Sequence, residues 1–236
     1  MLDDLLAVQE HDSAIDRLRA RRERLPERQA LVERQRNLAT VEAKVADVEG
    51  QRDDVSRDER HLDDNVTAIE TRIKEVEEEL YSGRTSNPRE LQALQADIEM
   101  LRRQRSALED QELDAMERRE GLDHDVAQLD EELSAVRSDV AELTKAIAEQ
   151  ETQIDVHLAE EEEARAAAAA TVSSSLLELY ESIRARNGGI GAARLVSGTC
   201  QGCHLALSAV EVDRIKKLAA DEVVRCDPCG AILVRS

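Results

Sequence analysis

From Leu38 onward the apolar residues fall at alternating steps of three and four: Leu38, Val41, Val45, Val48, Arg52, Val55, Glu59, Leu62, Val66, Ile69, Ile73, Val76 and Leu80. A second series starts Leu91, Leu94, Ile98, Leu101, Arg105, Leu108, Glu112, Ala115, Arg119, Leu122, Val126, Leu129 and keeps this rhythm to Ala164. In the first, 11 of 13 positions are apolar, and in the second 16 of 22. At 41% hydrophobic content, random placement would fill about 14 of the 35 positions, not 27. A 3.5-residue period sustained this long predicts helices wound into a left-handed supercoil through a narrow seam.

The segment from Tyr81 to Asn87 divides the two series. Ser82-Gly83 suits a helix stop, and Asn87-Pro88-Arg89-Glu90 suits a helix start. Asn87 is placed as N-cap, Pro88 as the first helical residue, and Glu90 to complete a capping box. So short a break predicts that the second helix folds back antiparallel, with its tip at about 81–88. Residues 1–37 are also helical by pattern, through Leu5, Val8, Ile15, Leu18 and Leu25. Their phase slips at Pro26, which predicts a kink or register shift there. Residues from 134 to about 170 should pair with that arm. Ala164 to Ala170 offers no bulky seam, so the second helix is expected to overhang its partner from about 170. Leu176, Leu177, Leu179, Tyr180 and Ile183 then restore an apolar face suited to docking a C-terminal module. Asn187-Gly188-Gly189 reads as the stop after it.

Arg52, Glu59, Arg105, Glu112 and Arg119 interrupt the seam. Such groups most simply pair across helices and fix register. His11 and His157 should come close in the antiparallel pairing, but two histidines on an exposed helix pair do not make a metal site without further ligands.

Composition supports long helices over a globule: 36% charged, 1% aromatic, no Phe or Trp, and three prolines. The net charge of -20 is unevenly spread. Residues 1–187 carry 26 Lys+Arg against 47 Asp+Glu, whereas residues 188–236 carry six against five. The first part should repel polyanions, and only the second could approach them. An acidic start, Met1-Leu2-Asp3-Asp4, and no apolar run near the roughly 18–20 residues of a span lead us to expect a cytoplasmic protein without membrane contact.

Two CxxC pairs, Cys200/Cys203 and Cys226/Cys229, lie in that second part. Each pair can offer two thiolates to one metal, and two pairs complete a tetrahedral site. Small or turn-forming neighbours (Gly198, Gly202, Pro228, Gly230) and short β-type runs at 194–196, 223–224 and 232–234 surround them, with a helical insert from Ser208 to Ala220. This spacing predicts one structural Zn²⁺; an iron centre uses similar ligands and stays open at this point. Four protein ligands leave no position for water, so such a site holds a fold. A stretch this short without aromatics needs the metal for much of its folding energy.

The fold class expected is thus mainly α: a long antiparallel coiled-coil hairpin over 1–187, then a small β-rich zinc ribbon over 188–236. No phosphate-binding loop, nucleophile elbow or HExxH is present, so we expect no enzyme. Arg214-Ile215-Lys216-Lys217, with Arg225, is the one basic group that could meet nucleic acid; a solvated helix face balanced by acidic neighbours is the simpler reading.

The run Leu80-Tyr81-Ser82-Gly83 through Asn87-Pro88-Arg89-Glu90-Leu91-Gln92-Ala93-Leu94, with the ending Cys226-x-x-Cys229-Gly230-Ala231-Ile232-Leu233, resembles the bacterial zinc-ribbon proteins that carry a coiled-coil hairpin. They are described as nucleic-acid-binding zinc ribbons, and the resemblance covers nearly the whole chain. It implies a non-enzymatic protein. Some members are similar to adaptors or chaperones linked to flagellar or secretion systems and to an alternative sigma factor, and RNA binding is attributed to some. Relatives tend to place a basic residue and an aromatic near the end of the second knuckle, where this chain has Ala231 and Val234. A helical seam does not require Tyr81 or Arg84, so Tyr81, Arg84 and Asn87 are candidates for contact with a partner protein. The hairpin can satisfy its own seam, which allows either a monomer or a homodimer.

Overall fold

The structure is a computed structural model that describes residues 2–84, 86–219 and 222–235. Thr85 in the expected tip and Ala220, the expected end of the helical insert, lie outside the described residues. Four helices come first: α1 (Leu2–Glu23), α2 (Pro26–Tyr81), α3 (Pro88–Ala169) and α4 (Ser174–Arg186). They are followed by β1 (Ala192–Val196), β2 (Thr199–Cys200), α5 (Ala209–Lys217), β3 (Val224–Arg225) and β4 (Ile232–Arg235). The chain is mainly α, a long helical hairpin with a small C-terminal sheet. No helix among the described residues is long and apolar enough to cross a membrane.

Two compact units are present, Leu31–Glu142 and Met1–Ala30 with Leu143–Ser236. In the first, every position of the heptad series is buried or half-buried while its neighbours on the helix are mostly exposed. Val41 and Val45 pack with Leu133, flanked by Leu38 and Leu129. Each such side chain removed from water stabilises by about 1.5–3 kcal/mol, so the seam holds by repetition. Antiparallel register shows in the ion pairs Glu77–Arg102 (2.6 Å), Glu59–Arg119 (3.0 Å) and Glu42–Arg137 (2.9 Å). Glu59 and Arg119 are two of the polar seam residues, and they pair with each other as expected. Arg52 instead binds Asp53, next to it on its own helix.

At the turn, α2 ends on Tyr81 and Gly83 takes φ 69°, the left-handed conformation that glycine adopts without steric cost. Asn87 Oδ1 accepts from the Arg89 amide (3.1 Å), an N-cap bond, and its Nδ2 donates to Glu90 Oε1 (3.4 Å).

In the second unit, α1 runs antiparallel to the end of α3, through His11–Glu161 (2.7 Å), Arg19–Glu162 (2.8 Å) and Arg22–Asp155 (3.0 Å). His11 and His157 each take a separate carboxylate, Glu161 and Glu160. The phase slip near Pro26 is a break: α1 stops at Glu23, Leu25 is buried, and Pro26 opens α2, where its missing N–H is not needed.

The structure departs from the expected overhang beyond 170. Helix α3 ends at Ala169, buried Val172 sits in the following turn, and α4 begins at Ser174. Ala168 and Ala169 pack against a core that includes Leu2, Leu5, Leu6 and Val8 of α1. The alanines are part of the packing because small side chains let helices approach closely.

The strands form one sheet in the order β2-β1-β4-β3, with β1 and β4 parallel and the outer pairs antiparallel. Both faces are covered. Ala192, Ile232 and Val234 join Tyr180 and Ile183 of α4 and the apolar face of α1. Ala193, Val224 and Leu233 face Ile215 of α5 and the cysteines. This explains why Ile232, Leu233 and Val234 are consecutive apolar residues with no alternation. The apolar face of α4 does dock the C-terminal strands, as its pattern suggested.

Candidate metal centre

Cys200 ends β2 and Cys226 follows β3, and each opens a turn that carries the second cysteine of its pair, the two turns having the same construction. His204 N–H donates to the Cys200 carbonyl (2.8 Å) and Gly230 N–H to the Cys226 carbonyl (2.7 Å). Cys200 N–H donates to Leu205 O (3.1 Å) and Cys226 N–H to Ala231 O (2.8 Å). The residue after each second cysteine is left-handed: His204 at φ 58°, Gly230 at φ 75°. Histidine thus holds, in the first knuckle, the conformation that glycine supplies in the second.

These turns bring the four Sγ atoms within 4.8 Å of one another. Cys200 and Cys229 sulfurs are 4.0 Å apart, and Cys203 and Cys226 sulfurs 3.8 Å. A disulfide needs about 2.05 Å. A tetrahedron with Zn–S bonds of about 2.3 Å has sulfur–sulfur edges of about 3.8 Å. The donor set and its spacing therefore fit one zinc ion. Burial pushes the Cys226 and Cys229 thiols up, whereas a hydrogen bond from the Leu205 backbone pulls Cys203 down. Bound zinc would supply the positive charge that holds all four as thiolates, and with four protein ligands it would fix the fold.

The sheet is also held, on both sides, by polar groups that the sequence did not single out. Asp12, 4% exposed, accepts from Tyr180 Oη (2.7 Å) and Arg165 Nε (3.2 Å), with Arg184 Nε 3.5 Å away. Burial and this carboxylate push the Tyr180 hydroxyl well above the usual tyrosine range. Gln9, 8% exposed, accepts from the Gly191 amide (2.6 Å) and the Ala192 amide (3.1 Å) and donates to Gly189 O (2.9 Å). Arg235 donates to Ile215 O (2.8 Å), Leu218 O (3.1 Å) and Glu222 O (3.0 Å), closing the C-terminal end of α5. In a chain that is 36% charged, Gln9, Asp12 and Arg235 look like surface positions, and only contacts remote in sequence reveal them.

The basic group is placed less favourably for polyanions. Arg214 Nε and Nη2 donate to both carboxylate oxygens of Glu211 (2.9 and 2.6 Å), and Lys217 pairs with Asp213 (2.6 Å). Lys216 lines a groove of about 960 Å³ beside Asp213 and Leu207, and Arg225 stands exposed on β3. All three α5 cations lie in its last turn, where positive charge suits the helix dipole. At the hairpin turn, Tyr81 is 82% exposed, and Arg84 and Asn87 are exposed beside it.

A family model for the CT398-like coiled coil hairpin domain matches residues 8–188. The chain belongs to the CT398-like coiled-coil hairpin family. A model for the C4-type zinc ribbon domain matches residues 199–233, the stretch that holds all four cysteines. Neither match is to a catalytic family. An uncharacterized protein of Mycobacterium tuberculosis, with the same figures in two strains, is 33% identical over 238 residues, 98% of this chain and 94% of its own. A Mycobacterium smegmatis structure superposes with a TM-score of 0.87 at 26% identity, covering 100% of this chain and 97% of that one. CT398 from Chlamydia trachomatis (TM-score 0.52, 23% identity, the same coverages) and the HP0958 protein from Helicobacter pylori (0.51, 14%, likewise) share the fold. Family membership bears out the resemblance drawn from the turn motif and the second knuckle.

Proposed function

We propose that this member of the family is a non-enzymatic cytoplasmic adaptor, in which residues 1–187 act as a hairpin and residues 188–236 as a zinc-held ribbon. It engages a protein partner through the exposed turn and the ribbon. One observation carries the reading. The chain has only two tyrosines; Tyr180 is 0% exposed, whereas Tyr81 is 82% exposed at the turn. Leaving a large amphipathic ring in water is unfavourable unless something covers it, and aromatic and arginine side chains are typical anchors of interfaces. Arg84 and Arg89 beside it place positive charge on an otherwise acidic hairpin.

Self-neutralised Arg214 and Lys217 favour a protein partner over nucleic acid. The test uses the full chain from its native cell, with partners recovered by co-purification. Altering Tyr81→Ala with Arg84→Ala should lose a partner that the unaltered protein retains; undiminished recovery rejects the turn as a contact. Titration with RNA and DNA at low salt covers the other class. Binding tighter than about 10⁻⁴ M, lost on Lys216→Ala with Lys217→Ala, would move the function to nucleic acid.

A further inference from the structure

We infer that Gln9 of the N-terminal helix is a positioning residue of the zinc centre, and that zinc occupancy and the docking of α1 are coupled through it. One carboxamide makes three bonds to the segment entering β1: its oxygen accepts from Gly191 and Ala192 amides, and its nitrogen donates to Gly189 O. Ile190 and Ala193, interleaved with those residues, support the first knuckle. A Cβ built on Gly202 would lie 3.0 Å from Ile190 Cγ2 and 3.0 Å from Ala193 Cβ, and 3.7 Å from Cys200 Sγ. The residues Gln9 holds are thus bonded neighbours of those on which the knuckle rests.

The remaining links run through the sheet. Leu195 of β1 pairs with Cys200, and β4 begins three residues after Cys229 and lies parallel to β1. A metal joining Cys200 and Cys203 to Cys226 and Cys229 ties the start of β4 to the end of β1. That pairing builds the surface of Ala192, Ile232 and Val234 on which Leu2, Leu5, Leu6 and Val8 pack. Helix α1 and the metal therefore favour one arrangement of the same two strands, and linkage makes the effect reciprocal.

The full chain tests this by zinc competition against a chromophoric chelator, and by hydrogen exchange with and without chelator. Gln9→Ala should bind zinc on the order of ten-fold more weakly, within the usual range for coupled sites. Gln9→Glu keeps an acceptor for the two amides, and should recover part of that loss. Val45→Ala, in the Leu31–Glu142 unit, should leave zinc affinity unchanged. Cobalt substituted for zinc should give a four-thiolate charge-transfer spectrum in every variant, showing that the ligands themselves are intact. In the unaltered protein, which does not depend on any variant folding, chelation should speed exchange over residues 5–15 and leave residues 41–76 protected. Unchanged affinity in Gln9→Ala overturns the inference, as does α1 exchange that ignores the metal.

Discussion

Replacing glycine by alanine should have opposite effects at different places in this chain, with signs fixed by local geometry. An added Cβ at Gly191 would lie 2.6 Å from Tyr180 Cδ2 and Cε2 and 2.8 Å from the Tyr180 carbonyl oxygen. The ring is fully buried and its hydroxyl is held by Asp12, while the carbonyl belongs to helix α4, so neither moves cheaply. Gly191 is not among the residues with positive φ, so the cost is steric, about 2–3 kcal/mol for overpacking a closed core. Gly50 and Gly121 lie inside α2 and α3 with nothing within 4 Å of the added carbon. There alanine should stabilise by about 0.5–1 kcal/mol through helix propensity. For a chain of this size 1 kcal/mol moves Tm by about 2–4 °C. Gly191→Ala should then melt about 4–12 °C lower, and the helical substitutions a few degrees higher. Because the two units need not unfold together, hydrogen exchange at β1/β4 and at α2 should accompany the melting curves. A Gly191→Ala protein melting with the unaltered one would refute the packing argument; destabilisation by Gly50→Ala would refute the helix argument.

Three further expectations follow from the side chains. Tyr180, raised in the folded state, contributes stability that is complete below the unfolded tyrosine pKa of about 10 and is lost as pH rises beyond it; Tyr180→Phe should flatten the alkaline fall of Tm between pH 9 and 11. Zinc uptake at pH 7 should release protons from at least the two raised thiols, Cys226 and Cys229, so apparent affinity should climb with pH; calorimetry in buffers of different ionisation enthalpy that detected no release would contradict this. Arg119→Leu alone should destabilise, because Glu59 is left with a side chain only 17% exposed, whereas adding Glu59→Leu should recover or exceed the original stability in a denaturant double-mutant cycle.

Much of this was legible from spacing. The seam showed because buried positions repeat every 3.5 residues, and the observed burial follows that series even at Arg105 and Arg119. The knuckles showed because two CxxC pairs have few other uses. The α3–α4 break was missed because Ala164 to Ala170 and Ser173 carry little signal: Ser173 makes no side-chain capping bond, and small residues suit both a bare surface and a tight contact. The docking of α1 on the sheet was hidden for another reason. Gln9 and Asp12 meet partners more than 150 residues away, and local pattern cannot encode such pairing. One clue was present, since Ile232-Leu233-Val234 lacks the alternation of a strand with one wet face.

The strand order carries a consequence for biosynthesis. Strand β4 lies between β1 and β3, yet a ribosome produces it after both. Helix α1 is made first of all these elements, and its leucines meet Ala168, Ala169, Val172 and Tyr180 in the growing chain well before Ile232 and Val234 exist. A nascent chain stalled before Ile232 would therefore leave the core of α1 and α4 open on the side that β4 covers, within reach of chaperones and proteases.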